Sequence, residues 1–386
     1  MIKSLFTKEH MKLRVKRGDN LKMNTIGSDK YRRMDRRYFM GLKKIFAIGF
    51  SMTLMAGLFT GCGSDTSSAN GTSSAESADS IAADSSSLAS DSASDTDSSD
   101  KINVVATTFP EYDFLRQIGG DNIELTLLLK PGAEVHSFEP TPEDIKNVIA
   151  SDIFVYVGGD SDEWVKSITD EIDTDKTEVV TLMDCVTTVE EEVTEGMTPE
   201  SDEGASDDEE AEYDEHVWTS PKNAELICNK LCDALCTKDP DNSDSYKANL
   251  ESYTGELEKL DSEFRDVVDN AARKEIIVGD RFPFRYFCDE YGLTYYAAFP
   301  GCSSDSEPSA QTIAFLVDKV TSDEIPVVFY KDLSNGKVCE AICEQTGAKA
   351  ECLYSCESIS KDDFDAGLTY IDLMSKNVDV LKEALN

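Results

Sequence analysis

Between Ser243 and Ala272 the chain carries one uninterrupted helical pattern, in which Leu250, Tyr253, Leu257, Leu260, Phe264 and Val267 recur at spacings of three and four. That period lays an apolar stripe along a single helix. At about 1.5 Å per residue such a helix reaches roughly 45 Å. This is long for an element inside one domain and right for a strut between two.

Both flanks of the strut alternate between short apolar runs and helical patterns. Upstream, the spacing predicts strands at Ile102–Thr107, Ile123–Leu129, Ile153–Val157 and Val179–Leu182. Helices are expected at Tyr112–Ile118, Thr141–Ile149, Asp162–Thr169 and Asn223–Cys236. Downstream, strands fall at Glu275–Val278, Thr294–Phe299, Pro326–Tyr330 and Ala350–Leu353. Their helices fall at Phe284–Glu290, Thr312–Val320, Gly336–Gln345 and Gly367–Leu385. Strand–helix alternation calls for parallel sheets covered by helices. The expected fold is therefore α/β: two Rossmann-like lobes with parallel sheets, at 101–242 and 273–386, joined by one long rigid α-helix at 243–272.

The N-terminus reads as a targeting segment. Lys43 and Lys44 precede the apolar run Ile45–Phe59, too short for a comfortable membrane span, and Gly61-Cys62 closes it. The end of this run resembles the lipobox of bacterial lipoproteins, which implies lipidation of Cys62. Met40 is a plausible start, so 40–61 is the expected signal peptide and 1–39 a probable non-native extension. Gly63–Asp100 is almost entirely Ser, Asp, Ala, Gly and Thr, without Lys or Arg. Such a segment cannot bury enough apolar surface to order itself, and 62–100 is expected to be a disordered tether. The expected location is the cell surface, on the outer face of the cytoplasmic membrane.

Charge narrows the function classes. The net charge is −39, and from Cys62 onward 23 basic residues face 72 acidic ones. That excess repels nucleic acid and anionic headgroups and suits a cationic ligand. Fourteen acidic residues crowd the acidic loop, Glu190–Glu215, which has no basic residue. It is expected to be a solvated insertion in the first lobe.

Ten cysteines remain beyond Cys62. Cys228, Cys232 and Cys236 recur every four residues, as do Cys339 and Cys343. Neighbours on one helix face have poor disulfide geometry, so buried thiols are expected. With no CxxC pair, a cysteine metal cluster is the lesser alternative.

The chain beyond the leader holds only two histidines, His136 and His216, both at strand-to-helix junctions of the first lobe. Ligands of open α/β sheets bind at the carboxyl ends of strands, and imidazole is the commonest side-chain zinc ligand. Their contexts are specific. Pro131-Gly132-Ala133-Glu134-Val135-His136-Ser137-Phe138-Glu139-Pro140-Thr141-Pro142 resembles the PGxxxHxxEPTP segment of the zinc- and manganese-binding solute-binding lipoproteins of metal ABC importers. Asp214-Glu215-His216-Val217-Trp218 is similar to the DPHxW segment of the same family, with Glu215 where Pro is usual. Val104–Asp113, Ile118–Asp121, Gly158–Trp164 and Asp362–Asn377 add further matches in order.

The resemblance implies a metal held between two lobes, with His136 and His216 as first-lobe ligands. It also implies a His or Glu and a carboxylate from the second lobe. Counting back from Tyr286-Phe287 puts Arg281 at the family's third ligand position, and a guanidinium has no lone pair for a metal. Asp280 beside it is the expected third ligand. Glu357, before Ser358-Ile359, is the expected fourth, with Cys356 and Glu307 as weaker candidates.

The expected ligand is Zn2+, with Mn2+ as the alternative. The expected partners are a divalent metal ion, an ABC transporter permease and the membrane through Cys62, with no nucleic acid. The chain is expected to be a monomer and not an enzyme. It has no HExxH and no GxSxG. A metal-binding surface adhesin is the alternative function.

Overall fold

The computed structural model describes residues 101–197, 212–302 and 308–386. The leader, Cys62, the tether, residues 198–211 of the acidic loop and Glu307 lie outside them.

The first lobe is a parallel four-stranded sheet of β1 (Ile102–Ala106), β2 (Ile123–Leu127), β3 (Ile153–Tyr156) and β4 (Glu178–Thr181), in the order β2-β1-β3-β4. Its main helices are α1 (Phe109–Gly119), α2 (Pro142–Ala150), α3 (Glu163–Ile168) and α4 (Pro221–Lys238). The strut is α5 (Ser243–Asp269). The second lobe repeats the topology with β5 (Glu275–Phe282), β6 (Thr294–Pro300), β7 (Val327–Lys331) and β8 (Lys349–Leu353), in the order β6-β5-β7-β8. Around it lie α6 (Arg285–Tyr291), α7 (Ala310–Ser322), α8 (Lys337–Thr346), the short α9 (Lys361–Asp365) and α10 (Tyr370–Ala384). All strand pairs within the two sheets are parallel. The expected α/β fold with two parallel sheets and one long connecting helix is thus the observed one.

Local chemistry explains the helix starts. Thr141 and Asp144 cap α2 reciprocally, with Pro142 in the first turn. Thr108 and Glu111 do the same for α1, which therefore begins at Phe109 and not at Tyr112. Ser220 accepts the amide of Asn223 and starts α4 at Pro221, two residues before the sequence reading. A larger departure is β5. The sequence ends this strand at Val278, but it continues to Phe282 through a register shift between Val278 and Arg281. Such irregularities re-aim side chains beside functional sites.

The lobes share one apolar core. Tyr253, Leu257, Leu260 and Phe264 of α5 are buried with residues of both lobes in the same cluster. Phe264 meets Phe287 edge-on at 4.9 Å between ring centroids, and Phe114 meets Tyr370 at 5.0 Å. Hydrogen bonds reinforce the seam. Trp218 Nε1 donates to Ser355 O (2.9 Å), Tyr370 Oη to Trp218 O (2.7 Å), and Tyr286 Oη to Asp214 O (2.7 Å). An interface that is buried, apolar and laced in this way resists hinge opening.

Candidate metal centre

The carboxyl ends of both sheets face the cleft between the lobes. His136 lies on the long connection from β2 to α2. Its loop is tied across the cleft, since Gly132 N–H donates to Ile359 O (2.7 Å). His216 precedes a 3-10 turn at Val217–Thr219 that leads into α4. Glu357 follows β8. These three converge: His136 Nε2 is 2.9 Å and His216 Nε2 3.7 Å from Glu357 Oε1. Among the described residues, theirs are the only His, Cys, Asp and Glu donor atoms that gather as a potential metal site, all within 4.8 Å of one another.

The other ring nitrogens are held by polar partners. His136 Nδ1 pairs with Ser161 Oγ at 2.8 Å, and His216 Nδ1 with Asp214 Oδ1 at 3.1 Å. A carboxylate can only accept, so His216 Nδ1 carries a proton, and Nε2 is the ring atom turned to Glu357. His136 Nε2 and Glu357 Oε1 are buried and have no hydrogen-bond partner, despite their 2.9 Å separation. An imidazole nitrogen and a carboxylate oxygen this close in a buried space call for a proton or a metal cation between them.

Electrostatics agree with that arrangement. Burial pushes the Glu357 carboxyl up, but the Lys331 ammonium and the two imidazoles outweigh it and hold the pKa well below the carboxylate range. Glu357 is therefore ionised, with Oε2 on Lys331 and Oε1 towards the histidines. Burial disfavours the His216 cation, yet Asp214 raises its pKa well above the ordinary value. A metal ion entering the site must displace that proton.

Several of these positioning groups went unread in the sequence. Ser161 lies in a loop whose Gly158 and Gly159 adopt φ of 98° and 78°. A Cβ on Gly159 would meet Glu215 Oε1 at 2.3 Å, so that close approach requires glycine. Glu215 Oε1 in turn accepts Ser161 N–H (2.9 Å). Lys331, the last residue of β7, is 7% exposed. The two ends of the acidic loop pair as a short antiparallel bridge, Glu190 with Tyr213, which anchors the approach to His216.

The remaining sequence candidates fall elsewhere. Asp280 lies on the extended β5, and its Oδ1 accepts the N–H of Arg281 (2.9 Å). It lines the cleft, but the structure does not bring its carboxylate into the group of three. Arg281, at the position where the resemblance expected a ligand, reaches Glu134 Oε2 at 3.0 Å. Cys356 is buried in the apolar core at a φ of 59°. All ten described cysteines are free thiols. Burial pushes Cys302 and Cys352 up to about 12, and Cys356 and Cys228 well above the ordinary thiol value. Thiolates, the metal-binding form, are disfavoured there.

Comparison with known proteins follows the same outline. Residues 104–384 match the family model described as zinc-uptake complex component A, periplasmic. The chain is 33% identical over 288 residues to the high-affinity zinc uptake system protein ZnuA of Bacillus subtilis, covering 74% of this chain and 88% of that one. It is 29% identical to the zinc-binding lipoprotein AdcA of Streptococcus pneumoniae over 73% of this chain, but spans only 56% of AdcA. The zinc-bound crystal structure of AdcA's ZnuA-like domain superposes with a TM-score of 0.62 at 27% identity, covering 74% of this chain and 99% of that domain. On this match and on the fold it shares, the chain belongs to the ZnuA family of zinc-uptake components.

Proposed function

We propose that the protein captures Zn2+ outside the cytoplasmic membrane and hands it to the permease of an ABC importer. One observation carries the reading: His136 Nε2, His216 Nε2 and Glu357 Oε1 converge, and two of them, His136 Nε2 and Glu357 Oε1, are buried without a hydrogen-bond partner. Two neutral imidazoles and a carboxylate match the ligands that zinc accepts. Mn2+ takes the same ligand types but prefers more oxygen donors, which ranks it second. The shared apolar seam supports capture with little lobe movement. A permease would then read the closed cleft from outside.

Anchoring through Cys62 and action as a monomer belong to the same reading. It is a carrier's site, in which the ligand is held and released unchanged, and not a catalytic one. The adhesin alternative stands second, since nothing in the geometry of the site calls for it.

The test is zinc affinity by competition with a chromophoric chelator. His136→Ala and His216→Ala each lower it by more than the roughly 10–100-fold that losing an outer partner costs. Asp280→Ala stays within a few-fold of wild type. Undiminished zinc binding in both histidine variants would overturn the reading.

A further inference from the structure

Two of the three converging residues, His136 and Glu357, line a cavity of about 470 Å³. Zinc needs no such space. Volumes of roughly 300–1,000 Å³ are those of small-molecule sites. Its walls include His136 and Glu357 from the metal group, and also Arg281, Lys331 and Lys337. Three of the 23 basic residues beyond Cys62 therefore face one cavity, in a segment with 72 acidic ones.

The four carboxylates of the wall are already engaged. Glu357 serves the metal group and Lys331. Asp332 accepts the Ser355 N–H and hydroxyl (2.8 and 2.7 Å). Asp280 accepts Arg281 N–H (2.9 Å), and Glu134 pairs with the Arg281 side chain (3.0 Å). The Glu134 side chain is 45% exposed. Glu134 is the exposed member of the pair, whereas the Arg281 side chain is 18% exposed, so a ligand carboxylate entering the cavity can take the place of Glu134 on the guanidinium, which suits two-point carboxylate binding.

Zinc commonly takes four ligands, and three protein atoms converge here. We propose that the cavity binds a small carboxylate together with the metal: one carboxylate oxygen completes the coordination, and the group rests on Arg281 with Lys331 and Lys337 nearby. This rests on the zinc reading above and names the form in which zinc is held. The carboxylate comes either as a free anion or as part of a chelator that carries the zinc. No bond other than the coordination bond forms.

The test measures zinc affinity of the whole protein by chelator competition in a carboxylate-free buffer, then with acetate added. Wild type binds zinc in both and tightens by roughly tenfold with acetate. Arg281→Met loses that gain, and Arg281→Lys, which keeps the charge without the two-point geometry, recovers only part of it. Native mass spectrometry with zinc citrate separates the two sources. A complex carrying zinc and one citrate identifies a chelator-borne carboxylate, and zinc retained without citrate while acetate tightens binding identifies a free anion. Tight zinc binding indifferent to both carboxylates overturns this inference alone. An absence of zinc binding under every condition overturns the zinc reading and this inference together.

Discussion

Glu357→Ala is expected to damage the protein twice. The carboxylate supplies the one oxygen donor of the converging group, and it is the partner of Lys331, whose side chain is 9% exposed. Removing it leaves an ammonium in the interior with Asp332 as the nearest acidic neighbour along the chain. Asp332 is itself 7% exposed and already occupied by Ser355 and Cys356. Leaving one member of a buried ion pair uncompensated costs about 3–5 kcal/mol. Denaturant unfolding of the metal-free variant reads that loss, while chelator competition reads the loss of zinc affinity. Lys331→Met made together with Glu357→Ala separates the two effects. Stability is largely restored, because the orphaned charge is gone, and zinc affinity is not. A double variant that regained zinc binding would show that Glu357 is no ligand.

Zinc itself is the second large lever. A ligand that binds only the folded state stabilises it by about 4 kcal/mol when present at a thousand times its dissociation constant. For a folded region of this size that corresponds to a rise in melting temperature of roughly 10 °C. Differential scanning calorimetry with and without zinc should show it in wild type. The double variant His136→Ala with His216→Ala should melt at the same temperature with or without the metal. The gain is expected to be global, because the three converging residues come from both lobes and the lobes share one core. Two separate transitions, with only one shifted by zinc, would contradict that coupling.

Much of this was legible in the residues, for identifiable reasons. Buried parallel strands read as unbroken apolar runs, as Ile153–Tyr156 does and as β7 does up to its final Lys331. The strut was legible because its period of three and four runs the length of α5 without a proline and continues unbroken past the single Gly255. His136, His216 and Glu357 could be picked out because only two histidines beyond the leader leave few choices, and because the surrounding motifs resemble a known family.

What escaped were groups whose roles depend on contacts distant in sequence. Ser161 meets His136 across 25 positions and Lys331 meets Glu357 across 26, and no local pattern announces either. Asp280 lies outside the converging group, on a continuation of β5 past Val278 through an irregular register that has no signature in its residue types. The short α9 was missed as well: five residues are too few to show a helical period.

The central claim is that the metal is held by two imidazoles and Glu357, in a protein rich in thiols. X-ray absorption at the zinc edge of the zinc-loaded protein addresses it directly. The account predicts a first shell of nitrogen and oxygen at about 2.0–2.1 Å, with the outer-shell scattering of two imidazole rings and no sulfur. A sulfur shell near 2.3 Å would contradict it and place the metal on the cysteines.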